Sequence, residues 1–219
     1  MTGVTKSRTE EGIVQLTAGR AAYLERRRAT TRAAILFAAR RVFADATYND
    51  AKIDNIIRAA GVSRATFYAH FESKFELACA IYDEIAPQTA ALFARLPTLA
   101  RNDRAGIGQW LEDFVGIHLE HRNVTSLIAQ LQLFERSFRI RILSDSEALI
   151  DLVAAAEGTG FASAKGAGDA ARRERARVRL LFNRVAMLCA EVARGELSPE
   201  DAGISLELVG EEIALFLHE

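Results

Sequence analysis

The sequence predicts an all-α protein, and three observations predict it. Almost every segment after residue 29 carries its large apolar residues at helical spacing. No stretch alternates apolar and polar residues as a half-buried strand does. The breaks between periodic segments fall at helix punctuation: Gly61, Pro87, Ser198-Pro199 and the Gly/Ala-rich stretch 157–170. There is no internal repeat or heptad run.

In order, "TTRAAILFAARRVFADA" puts Ile35, Ala39, Val42 and Phe43 on one face, with Thr30 or Thr31 available as N-cap. "KIDNIIRAA" follows with Ile53, Ile56 and Ile57, with Asp50 expected to cap it and Gly61 to end it in a left-handed turn. Ser63 caps a third helix of about two turns. "SKFELACAIYDEI" then aligns Ala78, Ile81, Tyr82 and Ile85 and runs on towards Leu92. Pro87 lies inside that stripe and demands a kink or an early end between Asp83 and Pro87. Ile107, Trp110, Leu111, Phe114 and Ile117 form the next face; Leu127, Leu131, Phe134 and Phe138 another; Leu149, Leu152, Val153 and Ala156 a third. "EGTGFASAKGAGDA" reads as a flexible loop. Val178, Leu181, Phe182, Val185, Leu188, Cys189 and Val192 give the longest regular stripe. A last helix starting at Pro199 carries Leu206, Val209, Ile213 and Phe216.

Composition narrows the class. Half of the 219 residues are apolar, enough for a substantial core, yet no run approaches the ~18 residues of a membrane span. The amino end "MTGVTKSRTEEG" lacks the apolar stretch of a signal peptide. Cys79 and Cys189 form no disulfide framework and read as buried thiols of a reducing cytoplasm. The expectation is a soluble, cytoplasmic chain. Its net charge of −1 conceals an asymmetry: residues 1–75 hold thirteen Lys/Arg against seven Asp/Glu, whereas the remainder is acidic. An anionic partner for the first part alone fits that split, as does a merely solvated basic face.

"AAGVSRATFYAHFESKFEL", residues 59–77, selects between them. Two short helices joined at a glycine are a helix-turn-helix, whose second helix enters the DNA major groove. Val62, with Ile53, Ile56 and Phe67, can lock the helices from behind. Arg64, Ala65 and Thr66 then sit where side chains reach base edges, because arginine donates twice to guanine and a small residue allows close approach. Ser63, Tyr68, His70 and Lys74 are donors suited to phosphate oxygens, and helix amino-termini add favourable dipoles. Phe71 belongs to the core, and His70 could equally cap or pack. The basic run "LERRRATTR" is either an arm or helix extension that touches DNA or a soluble leader.

With "IDNIIR" and "AAILFAARRVFADATY" before it, this stretch resembles the amino-terminal domain of TetR-family transcriptional regulators over about residues 32–77. The AGVS turn, the aromatic-Tyr-x-His-Phe run and SK before an apolar residue stand at the family's spacing. The resemblance implies homodimeric, ligand-responsive regulators with a variable helical carboxy-terminal domain. Two positions depart from the pattern: Thr47 replaces a glycine before Tyr48, and Ala51-Lys52 replaces a threonine pair opening the second helix. Asp50 is expected to take over the cap and Lys52 to reach a phosphate. The nominated DNA contacts are therefore Thr47, Tyr48, Lys52, Ser63, Arg64, Ala65, Thr66, Tyr68, His70 and Lys74.

The expected organisation is a basic, partly disordered arm over residues 1–28, a helix-turn-helix domain over 29–75, and a helical effector-binding and dimerisation domain over 76–219. In the last, Trp110, Phe114, Phe134 and Phe138 are expected to line an apolar ligand site in which His118 or a glutamine orients the ligand, any one of the four aromatics being more often plain core. The apolar excess of the last two helices nominates Val178, Phe182, Val185, Cys189, Leu206, Val209, Ile213 and Phe216 as a four-helix dimer interface. His118 and His121 have metal-compatible spacing, but nothing completes a site, and no metal or cofactor is expected. No phosphate loop, dinucleotide glycines or nucleophile elbow points to an enzyme. The reading is a dimeric repressor that binds a double-stranded, pseudo-palindromic operator and is released by a small hydrophobic or aromatic effector. The alternative is a dimeric DNA-binding protein without an effector.

Overall fold

The structure is a computed structural model that describes the backbone of residues 4–217 and the side chains from residue 19 onwards. The described residues form α-helices and two 3-10 turns, with no strand among them. The chain divides into two compact units, Met1–Ala78 and Cys79–Glu219.

The first unit holds α1 (Val4–Asp45), α2 (Ile53–Ala60), α3 (Arg64–Tyr68) and the start of α4 (Lys74–Asp83). Its core gathers Ile35, Ala39 and Phe43 of α1, Ile56 of α2, Phe67 of α3, Phe71 and Leu77. The expected N-cap at Thr30 or Thr31 is not one, because α1 already runs from Val4. Both hydroxyls instead donate to carbonyls four residues back, on Arg26 at 2.9 Å and Arg27 at 3.0 Å. Residues 4–28, expected as a partly disordered arm, are helical; the part of that expectation on residues 1–3 lies outside the described residues. Their helicity escaped a reading by apolar stripe, since positions 19–30 are all exposed and carry none.

Asp50 does not cap α2. Lys52 holds that position without a side-chain bond, while the Asp50 carboxylate accepts from the Thr47 hydroxyl at 2.6 Å and closes the α1–α2 loop. Gly61 ends α2 at φ +66°, a left-handed conformation that glycine adopts without strain. Ser63 caps α3 by accepting the Thr66 amide at 3.0 Å.

The second unit continues through α5 (Ala86–Arg95), α6 (Arg104–Glu120), α7 (Arg122–Phe134), α8 (Arg136–Ala154), α9 (Asp169–Arg194) and α10 (Pro199–Ala214). The break that Pro87 demands falls between Asp83 and Ala86, with the proline in the first turn of α5. The stripe expected from Leu127 to Phe138 is interrupted, because Glu135 is extended at φ −112°, ψ 104° between α7 and α8. Leu127, Leu131 and Phe138 are buried, whereas Phe134 is 51% exposed. Ser198 caps α10 through the Asp201 amide, as its place before Pro199 requires.

The stretch expected as a flexible loop is an anchored one. Its 3-10 turn, Gly160–Ala164, buries Phe161 completely and stacks it on Phe216 at 5.2 Å between centroids. Gly160 donates its amide to the Phe216 carbonyl at 2.9 Å. A Cβ at position 160 would stand 3.0 Å from the Phe216 Cα, so glycine is what permits the approach. One aromatic among small residues leaves no period to detect. Replacing Phe161 with Ala should lower unfolding stability by about 3–5 kcal/mol. Chemical denaturation measures this, and a change below about 0.5 kcal/mol would return the segment to the class of flexible loops.

Candidate functional site

The reading head is α3. Phe67 is fully buried behind it, edge-on to Tyr68 at 5.3 Å and tilted against Phe71 at 6.1 Å. With that side fixed, Arg64, Ala65 and Tyr68 face solvent on the other. The Arg64 guanidinium is held by the Asp54 carboxylate of α2, an ion pair in which both side chains are well exposed. Such a pair is worth at most about 1 kcal/mol, so it orients the arginine without preventing transfer to a base edge. Asp54 was not nominated from sequence, and its distance of ten residues from Arg64 offers no local signal.

Thr66 is half-buried and its hydroxyl is 2.8 Å from the Ser63 hydroxyl, so both serve the cap. Lys52 is exposed at the start of α2, and Thr47 is exposed with its hydroxyl on Asp50. Tyr48, nominated as a DNA contact, is instead 3% exposed and packs on Phe43 at 6.1 Å.

Lys74 requires the larger correction. Its ammonium donates to the carbonyls of Tyr48 at 2.5 Å, Ala51 at 3.1 Å and Asn49 at 3.3 Å, and sits 4.5 Å above the Tyr48 ring. An ammonium has three donors, and three carbonyls take them. Lys74 clamps the α1–α2 loop rather than offering its charge to a phosphate. His70 is half-buried, and burial together with Arg28 and Arg32 holds its imidazole below the ordinary range.

The nominated effector residues separate into three places. Trp110 and Phe114 are buried together, tilted with centroids 5.9 Å apart and both edge-on to Phe93, and the Trp110 indole donates to the Leu92 carbonyl at 2.9 Å. His118 extends this group, its ring 5.0 Å from that of Phe114 and Nδ1 3.1 Å from the Thr125 hydroxyl. The buried His118 Nε2 has no hydrogen-bond partner among the described residues, and burial lowers the pKa to about 4. Phe138 pairs elsewhere, edge-on to Tyr82 at 5.4 Å, and Phe134 faces solvent. His121 turns towards Gln88, 3.3 Å away, so the two histidines diverge.

Two grooves lie on this unit: one of about 560 Å³ between α6 and α10, floored by Ile107, Leu111 and Leu206, and a more open one of about 720 Å³ between α5 and α6. None of the five nominated residues lines either.

The nominated dimer residues are corrected as well. Val178, Phe182, Val185, Cys189, Val209 and Ile213 are buried within the subunit, and Leu206 and Phe216 are half-buried against its core. The outward stripes of the same helices are Leu180 and Met187 on α9, and Ile204 and Leu208 on α10, with Leu215 at its C-cap.

A short exposed helix, anchored from behind and entered through a left-handed glycine, defines a helix-turn-helix DNA-binding protein. Residues 35–81 match the family model for bacterial regulatory proteins of the tetR family. No curated protein matches the chain significantly. Solved structures match over most of its length. A TetR-like transcriptional regulator from Rhodococcus sp. RHA1 is 23% identical over 82% of this chain and 93% of its own, with a TM-score of 0.58. A transcriptional regulator from Aquifex aeolicus VF5 is 18% identical over 84% and 98%, also at 0.58. NalD of Pseudomonas aeruginosa, the secondary repressor of the MexAB-OprM multidrug efflux pump, is 24% identical over 82% and 93%, at 0.56. At these identities the likeness is one of fold. No described helix is long and apolar enough to cross a membrane.

Arg64→Ala should weaken specific DNA binding by about 1–3 kcal/mol and relax one operator position. Lys74→Met should instead lower the melting temperature of the first unit, with DNA affinity falling only as the folded fraction does. Titration against specific and scrambled duplexes, beside thermal unfolding, separates the two. A Lys74 variant of unchanged stability that bound every sequence more weakly would restore the phosphate role.

His118 gives a pH dependence of definite sign. Its folded pKa of about 4 lies below the 6.5 of the unfolded chain, so the neutral ring stabilises the fold fully above pH 6.5. That stability is lost as pH falls from 6.5 to about 4, by roughly 3 kcal/mol at most, and stays lost below. His118→Gln should flatten this part of the urea-midpoint profile; an unaltered profile would place the titration elsewhere.

Proposed function

We propose that this regulator is a homodimeric repressor that binds a pseudo-palindromic operator and leaves it when a small hydrophobic effector binds the second unit. The observation that carries the DNA half is the division of α3: Phe67 and Ser63 hold it, while Arg64, Ala65 and Tyr68 are left outward. Repression is supported by fold analogy with the repressor NalD alone.

Dimerisation is supported by helices with two apolar faces. On α9, Val178, Val185 and Cys189 face the core while Leu180 and Met187, seven residues apart, face out. On α10, Val209 and Ile213 face in while Ile204 and Leu208, with Leu215 at the C-cap, face out. A helix needs one apolar face to join its own subunit; a second matches a surface that a second copy covers.

The effector is supported by His118. If Thr125 donates to the His118 carbonyl, 3.3 Å away, Nδ1–H donates to Thr125 and Nε2 is left as an unpaired acceptor beside Phe114. A hydrophobic molecule carrying one hydrogen-bond donor, such as a phenol, satisfies it. The effector-free reading has its own support in the mutual packing of Phe93 with Trp110, Phe114 and Phe182 at 4.7–5.4 Å, which fills that region with side chains.

Selection of duplex sequences by the full-length protein tests the DNA reading. Leu180→Glu with Leu208→Glu changes only outward positions and should yield folded monomers in sedimentation. Full-operator affinity should then fall at least tenfold while half-site affinity is retained, because linked half-sites lose their effective-concentration advantage. A variant that stays dimeric moves the interface elsewhere. Phenols and their methyl ethers, screened for thermal stabilisation and operator release, decide between effector and none; stabilisation without release rejects the mechanism.

A further inference from the structure

The long first helix exceeds what its unit packs. Among the described side chains of α1 the buried positions begin at Ile35, yet the helix is already formed through the preceding thirty-one residues. Residues 19–30 are all exposed, so no described part of the molecule covers this stretch. Its composition is one-sided: between positions 19 and 32 stand Arg20, Arg26, Arg27, Arg28 and Arg32 against the single acid Glu25.

The direction of that charge is set by helical geometry. Arg28 and Arg32 precede Ile35 and Ala39 by seven residues each, two turns, and so continue upstream the face that the core occupies downstream. The structure places them accordingly. The Arg32 guanidinium lies 4.9 Å above the Phe71 ring, and both arginines are near enough to His70 to disfavour its protonation. His70 and Phe71 directly follow the reading helix, so the basic face of α1 adjoins it. Arg27, Arg28 and Arg32 make no ion pair among the described residues.

We propose that the stretch of α1 from Arg20 to Arg32 binds the phosphate backbone of duplex DNA flanking the operator core, lengthening the footprint without reading sequence. The inference rests on the assignment of the first unit as a DNA reader and deepens it. From Ile35 back to Arg20 the helix extends about 22 Å, at ~1.5 Å per residue. That is about two-thirds of a ~34 Å duplex turn. Guanidinium groups spaced along such a rod meet phosphates in succession, each contact releasing a condensed counterion. The polar, unpacked character of the stretch follows from that role. A helix that grips phosphate needs charge and reach rather than an apolar face.

The test compares R20Q/R27Q/R28Q and R20K/R27K/R28K with the natural chain, leaving Arg32 on Phe71 undisturbed. Duplexes selected by the full-length protein are made in two lengths, the core alone and the core with ~10 unrelated base pairs on each side. The natural protein should bind the long duplex on the order of tenfold more tightly than the short one, whatever the flanking sequence. The Gln variant should bind both alike, matching the natural protein on the short duplex, with a log–log salt dependence shallower by about 0.9 for each phosphate no longer neutralised. The Lys variant should recover most of the length effect, since a point charge suffices for phosphate. Circular dichroism reports whether the Gln variant keeps its helix; if it does not, the Lys variant and the natural protein's own length dependence still decide. Specific binding with no length dependence overturns this proposal alone. No enrichment of any sequence overturns the DNA reading with it.

Discussion

A five-residue helix is not stable by itself. Isolated helices need roughly 12–15 residues before backbone hydrogen bonds offset the cost of nucleation, and α3 has little more than one turn. It exists because its surroundings hold each end and one side: Ser63 caps it, Phe67 sinks fully into the core, and Gly61 sets its entry from α2. This constraint explains the outward face. With its stability supplied from behind, Arg64, Ala65 and Tyr68 are relieved of any packing duty and are available to a groove. Lys74 extends the same logic to the loop before α2. Its ammonium gathers three carbonyls and fixes Thr47 and Lys52 at the edge of the reading surface. A residue type that suggests phosphate binding is used for internal order.

The last two helices show the opposite economy, with apolar residues on both sides. Periodicity reports that a side chain wants to leave water, not what will cover it. Val185 and Leu180 are therefore indistinguishable as apolar positions in a sequence, although one is 1% and the other 65% exposed. The dimer nomination chose the regular stripe, and the regular stripe is the one that builds the subunit. The outward one is sparser because Arg184, which pairs with Glu212, and other polar residues interrupt it. An interface stripe read from sequence is the residue of the pattern after the core has been assigned, and that assignment needs the third dimension.

The helix-turn-helix was legible because its requirements are local. A left-handed turn needs Gly61, a cap needs Ser63 three residues before Thr66, and a break needs Pro87; each is satisfied within a few positions. What failed was non-local or unperiodic. Arg64 finds Asp54 ten residues away, Lys74 finds carbonyls more than twenty residues away, and Phe161 finds Phe216 across two helices. The twenty-five residues of α1 before residue 29 failed for another reason. Where their side chains are described, from residue 19 on, they hold a helix with no buried side, and an apolar stripe has nothing there to report.

The same distinction bears on how the proposed repressor responds to a ligand. The division between the two units falls within α4, a helix of ten residues. Its first residue, Lys74, is bonded to the α1–α2 loop, within the first unit. Its last two are held within the second: the Tyr82 hydroxyl donates to Asp145 at 3.0 Å, and Asp83 pairs with Arg141 of α8. The Tyr82 ring also meets Phe138 edge-on and lies 5.4 Å from the Arg141 guanidinium. A ligand shifts an equilibrium only by its difference in affinity between two states. In the proposed repressor, the relevant difference within the second unit is any preference for one position of α8, which holds Tyr82 and Asp83. Phe138, expected as a ligand contact, packs edge-on against Tyr82 at that point.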